Sequence, residues 1–120
     1  MIGYVTVGTN DMERARKYYD ALLAEFGATR AWYNGRVQGY AGPHGLFAIA
    51  IPHDNEPATV GNGSMFGFRA MDSEMVDRVY AKAMALGSKD EGAPGARTDN
   101  FYGAYFRDLD GNKRCVFKAG

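Results

Sequence analysis

Shifted by 61 positions, this chain falls on itself. Tyr4 meets Met65, Asp11 meets Asp72, Glu13 meets Glu74, Tyr19 meets Tyr80 and Ala24 meets Ala85. A few coincidences carry little, but the order of features repeats with them: strand-like run, capping residue, amphipathic helix, closing glycine, hairpin. A chain that writes one supersecondary unit twice is constrained to fold as two copies of it. At 120 residues it has room for a single domain, 1–120.

In the first copy, residues 2–7 are mostly β-branched or aromatic and predict a strand. Asn10 with Glu13 has the spacing of a capping box. Beyond it Met12, Ala15, Tyr18, Tyr19, Leu22, Leu23 and Phe26 form one apolar helical stripe, closed by Gly27. Three short strands follow, at 29–33, 36–40 and 46–51, separated by Asn34-Gly35 and by the turn Gly42-Pro43-His44-Gly45. The second copy opens at 65–68, and Asp72 can cap a helix carrying Val76, Val79, Tyr80 and Ala83 up to Gly87. Residues 88–100 read as a polar, Gly-rich loop that obscures one strand. Strands at 101–107 and 113–118 flank the turn Asp108-Leu-Asp-Gly-Asn112. The expectation is two βαβββ modules, about 1–52 and about 64–120, with a linker at about 53–63. The fold class is α+β, with helices on one side of curled mixed sheets and a concave side open to a ligand.

Charge and hydropathy remove several alternatives. Lys+Arg and Asp+Glu are both 14, and no basic stripe suggests nucleic acid. The longest apolar run, Leu46 to Ile51, is far shorter than a membrane span. Met1-Ile-Gly-Tyr4 has no basic-then-apolar leader, and the single cysteine, Cys115, forms no intrachain disulfide. Both point to a reducing cytoplasm.

Val5-Thr-Val7 followed by Asn10-Asp-Met-Glu-Arg-Ala-Arg-Lys-Tyr-Tyr19 resembles the opening strand and "D-x-x-R-A-x-x-F-Y" helix of the glyoxalase/bleomycin-resistance, or vicinal oxygen chelate, superfamily. Gly92-Ala-Pro-Gly-Ala-Arg97 is similar to a loop of one single-domain branch. Tyr105-Phe-Arg-Asp-Leu-Asp-Gly-Asn112 resembles its "F-x-D-P-D-G-N" signature, with Leu109 in place of proline. The resemblance runs over almost the whole chain and implies the same paired βαβββ modules.

In the metalloenzymes of that superfamily a divalent ion held by His or Glu binds vicinal substrate oxygens and acts as a Lewis acid. Carried over, the ligand positions fall on Tyr4, Met65, Cys115 and a residue within 47–51, where no side chain can ligate. Phenol, thioether and thiol form a poor set for a divalent ion, so the expectation is no metal and no cofactor. His44 lies in a turn and reads as incidental. His53 ends a core strand and is the better functional candidate, without a partner to orient it. Cys115 reads as a buried structural thiol, Phe47 and Phe66 equally well as core, and Arg107 as an exposed ion-pair partner of Asp108 or Asp110, with contact to an anionic ligand as the alternative.

What remains is an aromatic inventory. Tyr4, Trp32, Tyr40, Met65, Tyr102, Tyr105 and Cys115 are expected to line an apolar pocket with phenol hydroxyls as polar handles. The preferred reading is a metal-free protein binding a small, partly aromatic molecule. Two alternatives stay open: a metal-dependent lyase, isomerase or extradiol dioxygenase with an atypical ligand set, and a non-catalytic structural domain. The resemblance also implies a homodimer whose grooves draw on both chains.

Overall fold

The computed structural model describes residues 1–120 and divides into two compact units, Met1–Thr59 and Val60–Gly120. The first contains β1 (Tyr4–Gly8), α1 (Met12–Ala24), β2 (Thr29–Tyr33), β3 (Val37–Gly42) and β4 (Gly45–Ala50). The second contains β5 (Phe66–Arg69), α2 (Ser73–Ala85), β6 (Lys89–Thr98), β7 (Phe101–Arg107) and β8 (Lys113–Ala119). Both follow βαβββ order. The sheets run β1-β4-β3-β2 and β5-β8-β7-β6, each with one parallel pair (β1 with β4, β5 with β8) and antiparallel pairs otherwise. The sequence repeat is therefore a repeat of topology, in an α+β fold of two open mixed sheets. Neither helix is long and apolar enough to cross a membrane.

Each helix covers one face of its own sheet. Ala15, Tyr18, Tyr19, Leu22 and Leu23 are the buried residues of α1, and Tyr19 meets Phe47 with ring centroids 4.9 Å apart. On α2, Met75, Val76, Val79 and Ala83 are buried, and on its sheet Ala104, Phe106 and Val116 are fully enclosed. Removing an enclosed aliphatic or aromatic side chain of this kind from water contributes roughly 1.5–3 kcal/mol. Two Tyr–carboxylate bonds add orientation: Tyr40 on β3 donates to Asp20 on α1 at 2.8 Å, and Tyr102 on β7 donates to Asp77 on α2 at 2.7 Å.

Local chemistry departs from expectation in two places. The N-cap of α1 is Asp11, whose carboxylate accepts from the Arg14 amide at 3.0 Å, so the capping box centred on Asn10 does not form. Asn10 instead grips the backbone of Ala58, donating to its carbonyl at 3.1 Å and accepting from its amide at 2.7 Å. The segment expected as a loop at 88–100 is mostly β6. Three register shifts against β7 break its alternation, which is why its Gly- and Pro-containing sequence does not read as a strand.

The Asp108–Asn112 turn is held as its composition suggests. The Asp108 carboxylate accepts from the Asp110 and Asn112 amides at 2.9 Å each and from the Asn112 side chain at 3.0 Å. Gly111 takes φ +91°, a left-handed conformation that glycine adopts without strain. Behind the turn, the buried Arg114 guanidinium sits 3.8 Å from Asp108 and over the rings of Phe66 and Phe68.

Candidate functional site

Because strand side chains alternate, each sheet has a helix face and an open face. On the first sheet, Phe47 and Tyr40 contact α1 and mark the helix face. Their neighbours in sequence therefore form the open face. Cross-strand register arranges that face in rows: Tyr4 with Leu46 and Ala41; Thr6 with Ala48, Gly39 and Trp32; Gly8 with Ala50 and Val37. Small residues fill the middle. Trp32 lies over Gly39 so closely that a Cβ there would stand 2.3 Å from the indole, yet Trp32 remains 48% exposed. Tyr4 is 64% exposed.

Beside the Trp32 row is a cleft of about 550 Å³. Thr6, Gly8, Val37 and Ala50 contribute its floor, and residues 51–54 and 56–59 line the rest. This segment, expected as linker, is strapped down at both ends. Arg36 donates to the Pro52 carbonyl at 2.6 Å and the Asn55 side chain at 2.7 Å, and Asn10 grips Ala58 as described. The approach over Gly8 is close, since a Cβ there would come 2.9 Å from the Ala58 methyl. His53 lies on this strap and is exposed, as is His44 in its turn.

The second sheet is built the same way. Tyr102, Ala104, Phe106 and Val116 face α2, so the open face carries Tyr105 beside Cys115 and Gly67, and Gly103 beside Phe117 and Arg69. Phe101 and Phe117 stack at 5.2 Å with 6° between their planes. Burial pushes the Cys115 thiol up, while Tyr105, Arg97 and Lys113 act in the opposite direction.

Of the seven residues expected to line a pocket, Tyr4 and Trp32 lie on the open face of the first sheet. Tyr105 and Cys115 lie on that of the second, with Cys115 buried, and Met65 stands exposed just before β5. Tyr40 and Tyr102 are corrections. Both point at their helices, and hydrogen bonds to Asp20 and Asp77 raise the pKa of each, with burial the larger cause for Tyr40. Arg107 is also corrected: it pairs with Glu91 at 3.2 Å and donates to the Gly111 carbonyl, not to Asp108 or Asp110. Phe47 packs into the core, and Phe66 lies over Arg114 on the helix side. Sequence reading missed the strap, its clamps Asn10 and Arg36, and the open-face residues Phe101, Phe117 and Arg97.

The metal positions carried over from the resemblance do not fit a divalent ion. Tyr4 offers an exposed phenol, Met65 an exposed thioether and Cys115 a buried thiol, a set whose sulfur donors favour soft ions. On β4 the open-face residues in question are Ala48 and Ala50. No three His, Cys, Asp or Glu side chains come together.

Comparison with known proteins agrees with the topology. A crystallised glyoxalase/bleomycin resistance protein from Albidiferax ferrireducens T118 is 42% identical, with TM-score 0.93 over 100% of this chain and 99% of that one. A glyoxalase-related enzyme from Fulvimarina pelagi (17% identity, TM-score 0.78, 98% and 87% covered) shares the fold. So does a glyoxalase/bleomycin resistance protein/dioxygenase family enzyme from Burkholderia phytofirmans PsJN (17%, 0.78, 98% and 98%). No curated protein matches the chain. The sequence profile of the Glyoxalase/Bleomycin resistance protein/Dioxygenase superfamily matches residues 1–116, and with the repeated βαβββ topology this assigns the chain to that superfamily.

Proposed function

We propose that the protein is a metal-free member of its superfamily that binds a small, partly aromatic molecule on its open sheet faces. The observation that carries this reading is Trp32. Its indole packs onto Gly39 in a row of small residues and is 48% exposed, and a cleft of about 550 Å³ lined by Thr6 of the same row opens elsewhere on that sheet. A large aromatic side chain packed on a sheet and half exposed can stack on an aromatic ligand, and a cleft of this size suits a small ligand. The donor chemistry at Tyr4, Met65 and Cys115 supports the absence of a metal. In this reading the protein acts in the cytoplasm as a homodimer, which family membership supports. A monomer mass by light scattering at every concentration refutes the dimer.

Trp32 is the single tryptophan, so its emission reports directly on occupancy. A thermal-shift screen of small aromatic compounds is expected to yield hits that also quench Trp32. Hits that stabilise without changing its emission, or no hits, would remove this face as the site. Elemental mass spectrometry on protein purified without chelators or a histidine tag is expected to find no stoichiometric metal. Stoichiometric metal that vanishes in Cys115→Ala would replace this reading with a metalloenzyme one.

A further inference from the structure

The open face of the second sheet is not electrically neutral. Arg69 lies 5.1 Å from the Phe117 ring centroid, Arg97 lies 5.4 Å from that of Tyr105, and Lys113 lies 5.8 Å from the same ring. A ring face attracts a cation without neutralising it. Arg97 also donates to the Ala93 carbonyl at 2.7 Å, and none of the three pairs with a carboxylate. The adjacent acid, Glu91, is taken by Arg107 at 3.2 Å and by Lys89 at 3.9 Å. Three cations without counter-charge gather on one sheet face of a chain whose net charge is zero.

The two rings pack down onto glycines. A Cβ at Gly92 would come 3.1 Å from the Tyr105 ring, and one at Gly67 would come 3.0 Å from Phe117. Side chains at these positions would crowd the two rings that the cations overhang. Arg97 and Lys113 share one neighbour, the Tyr105 ring, at 5.4 and 5.8 Å from its centroid.

We propose that this face binds a small aromatic anion, its ring beside Tyr105 and its anionic group held by Arg97 and Lys113, with Arg69 and the Phe101–Phe117 stack at the margin. The inference rests on the small-molecule reading above, places a ligand on the sheet of the second unit and adds the sign of its charge. Planar carboxylates, sulfonates and phosphonates share the required chemistry, since guanidinium and ammonium donors bind each through charge-assisted hydrogen bonds.

Calorimetry with 2-naphthoate, 2-naphthol and 2-naphthylmethylammonium separates charge from ring. At low salt, naphthoate is expected to bind about tenfold more tightly than naphthol, with the ammonium weakest. Added salt should erode the preference. The amide resonances of Gly67, Gly92 and Gly103 should shift on binding, which locates the ligand on this sheet. The double variant Arg97→Gln/Lys113→Gln, checked for an unchanged melting profile, should abolish the preference and leave naphthol binding intact. Equal binding of naphthoate and naphthol overturns the anion inference and leaves the small-molecule reading standing. So does a preference that survives in the double variant, or shifts confined to the first unit. If none of the three compounds binds, both fall. A dimer that loosens in the double variant, with no naphthoate preference in the parent, assigns the face to a second copy and overturns the inference.

Discussion

The Trp32 platform depends on a glycine beneath it, and Gly39→Ala tests that dependence. The added methyl would stand 2.3 Å from Cε2, 2.4 Å from Nε1 and 2.7 Å from Cζ2 of Trp32, closer than carbon atoms approach without displacement. Gly39 is not in the left-handed region, so alanine strains nothing in the backbone and the indole must move. A fully covered tryptophan buries on the order of 200 Å². With 48% of Trp32 exposed, about half of that is covered here, which corresponds to ~2.5 kcal/mol at about 25 cal/mol per Å². A displaced ring keeps some contact, and replacing glycine by alanine in a strand returns about 0.5–1 kcal/mol. The expected net loss is therefore ~1–2 kcal/mol. Urea denaturation followed by circular dichroism measures it, and the native emission of Trp32 should shift to the red as the indole enters water. Loss of a stacking partner worth about 0.5–1.5 kcal/mol should weaken aromatic ligands roughly two- to tenfold. An unchanged emission maximum together with equal or higher stability would show that the indole does not rest on Gly39, and the platform argument would fail with it.

Three further outcomes rest on the surroundings of Asp108, Tyr40 and Cys115. Asp108→Ala removes the acceptor of three hydrogen bonds and leaves Arg114 buried without its carboxylate, so a loss of roughly 3–5 kcal/mol is expected in denaturant titration. Tyr40→Phe should cost about 1 kcal/mol at neutral pH. Because burial and the Asp20 bond raise the Tyr40 pKa, its stabilisation is complete below about pH 10, the unfolded value, and declines as pH rises beyond it. The alkaline slope of stability should therefore be shallower in Tyr40→Phe, and parallel slopes would refute the assignment. Cys115, 2% exposed and held in its protonated form, should react with an aromatic disulfide reagent far more slowly than a free thiol at pH 8, until denaturant is added.

The sequence alone determined the repeat, because two copies of one module must carry the same caps, stripes and turns. It determined the α1 stripe from Ala15 to Leu23, since burial of one helical face requires apolar residues every three to four positions, while the expected continuation to Phe26 falls beyond the helix end at Ala24. It placed the Asp108–Asn112 turn, where the chain needs a glycine at positive φ and a carboxylate to collect the amides. Part of the site was legible and went unread: Tyr102 and Tyr105 are three residues apart, so a regular strand sends them to opposite faces.

Tertiary structure decided the rest. Alternation fixes which strand residues share a face, but only contact with a helix decides which face is inward. Tyr40 turns to α1 because the Asp20 carboxylate, itself held by Arg30, is there to accept its hydroxyl hydrogen. Strand β6 is stabilised by its partner β7 despite register shifts that erase its own pattern. Residues 52–59 become a cleft wall only because Arg36 and Asn10 reach them, the latter across 48 positions of sequence. The three cations converge over Tyr105 and Phe117 from three different strands, each of which reads alone as an ordinary solvated surface. Local sequence encodes local period. Pairings between distant segments are set by which buried groups and hydrogen bonds can be satisfied together, and that is decided only when the whole chain is packed.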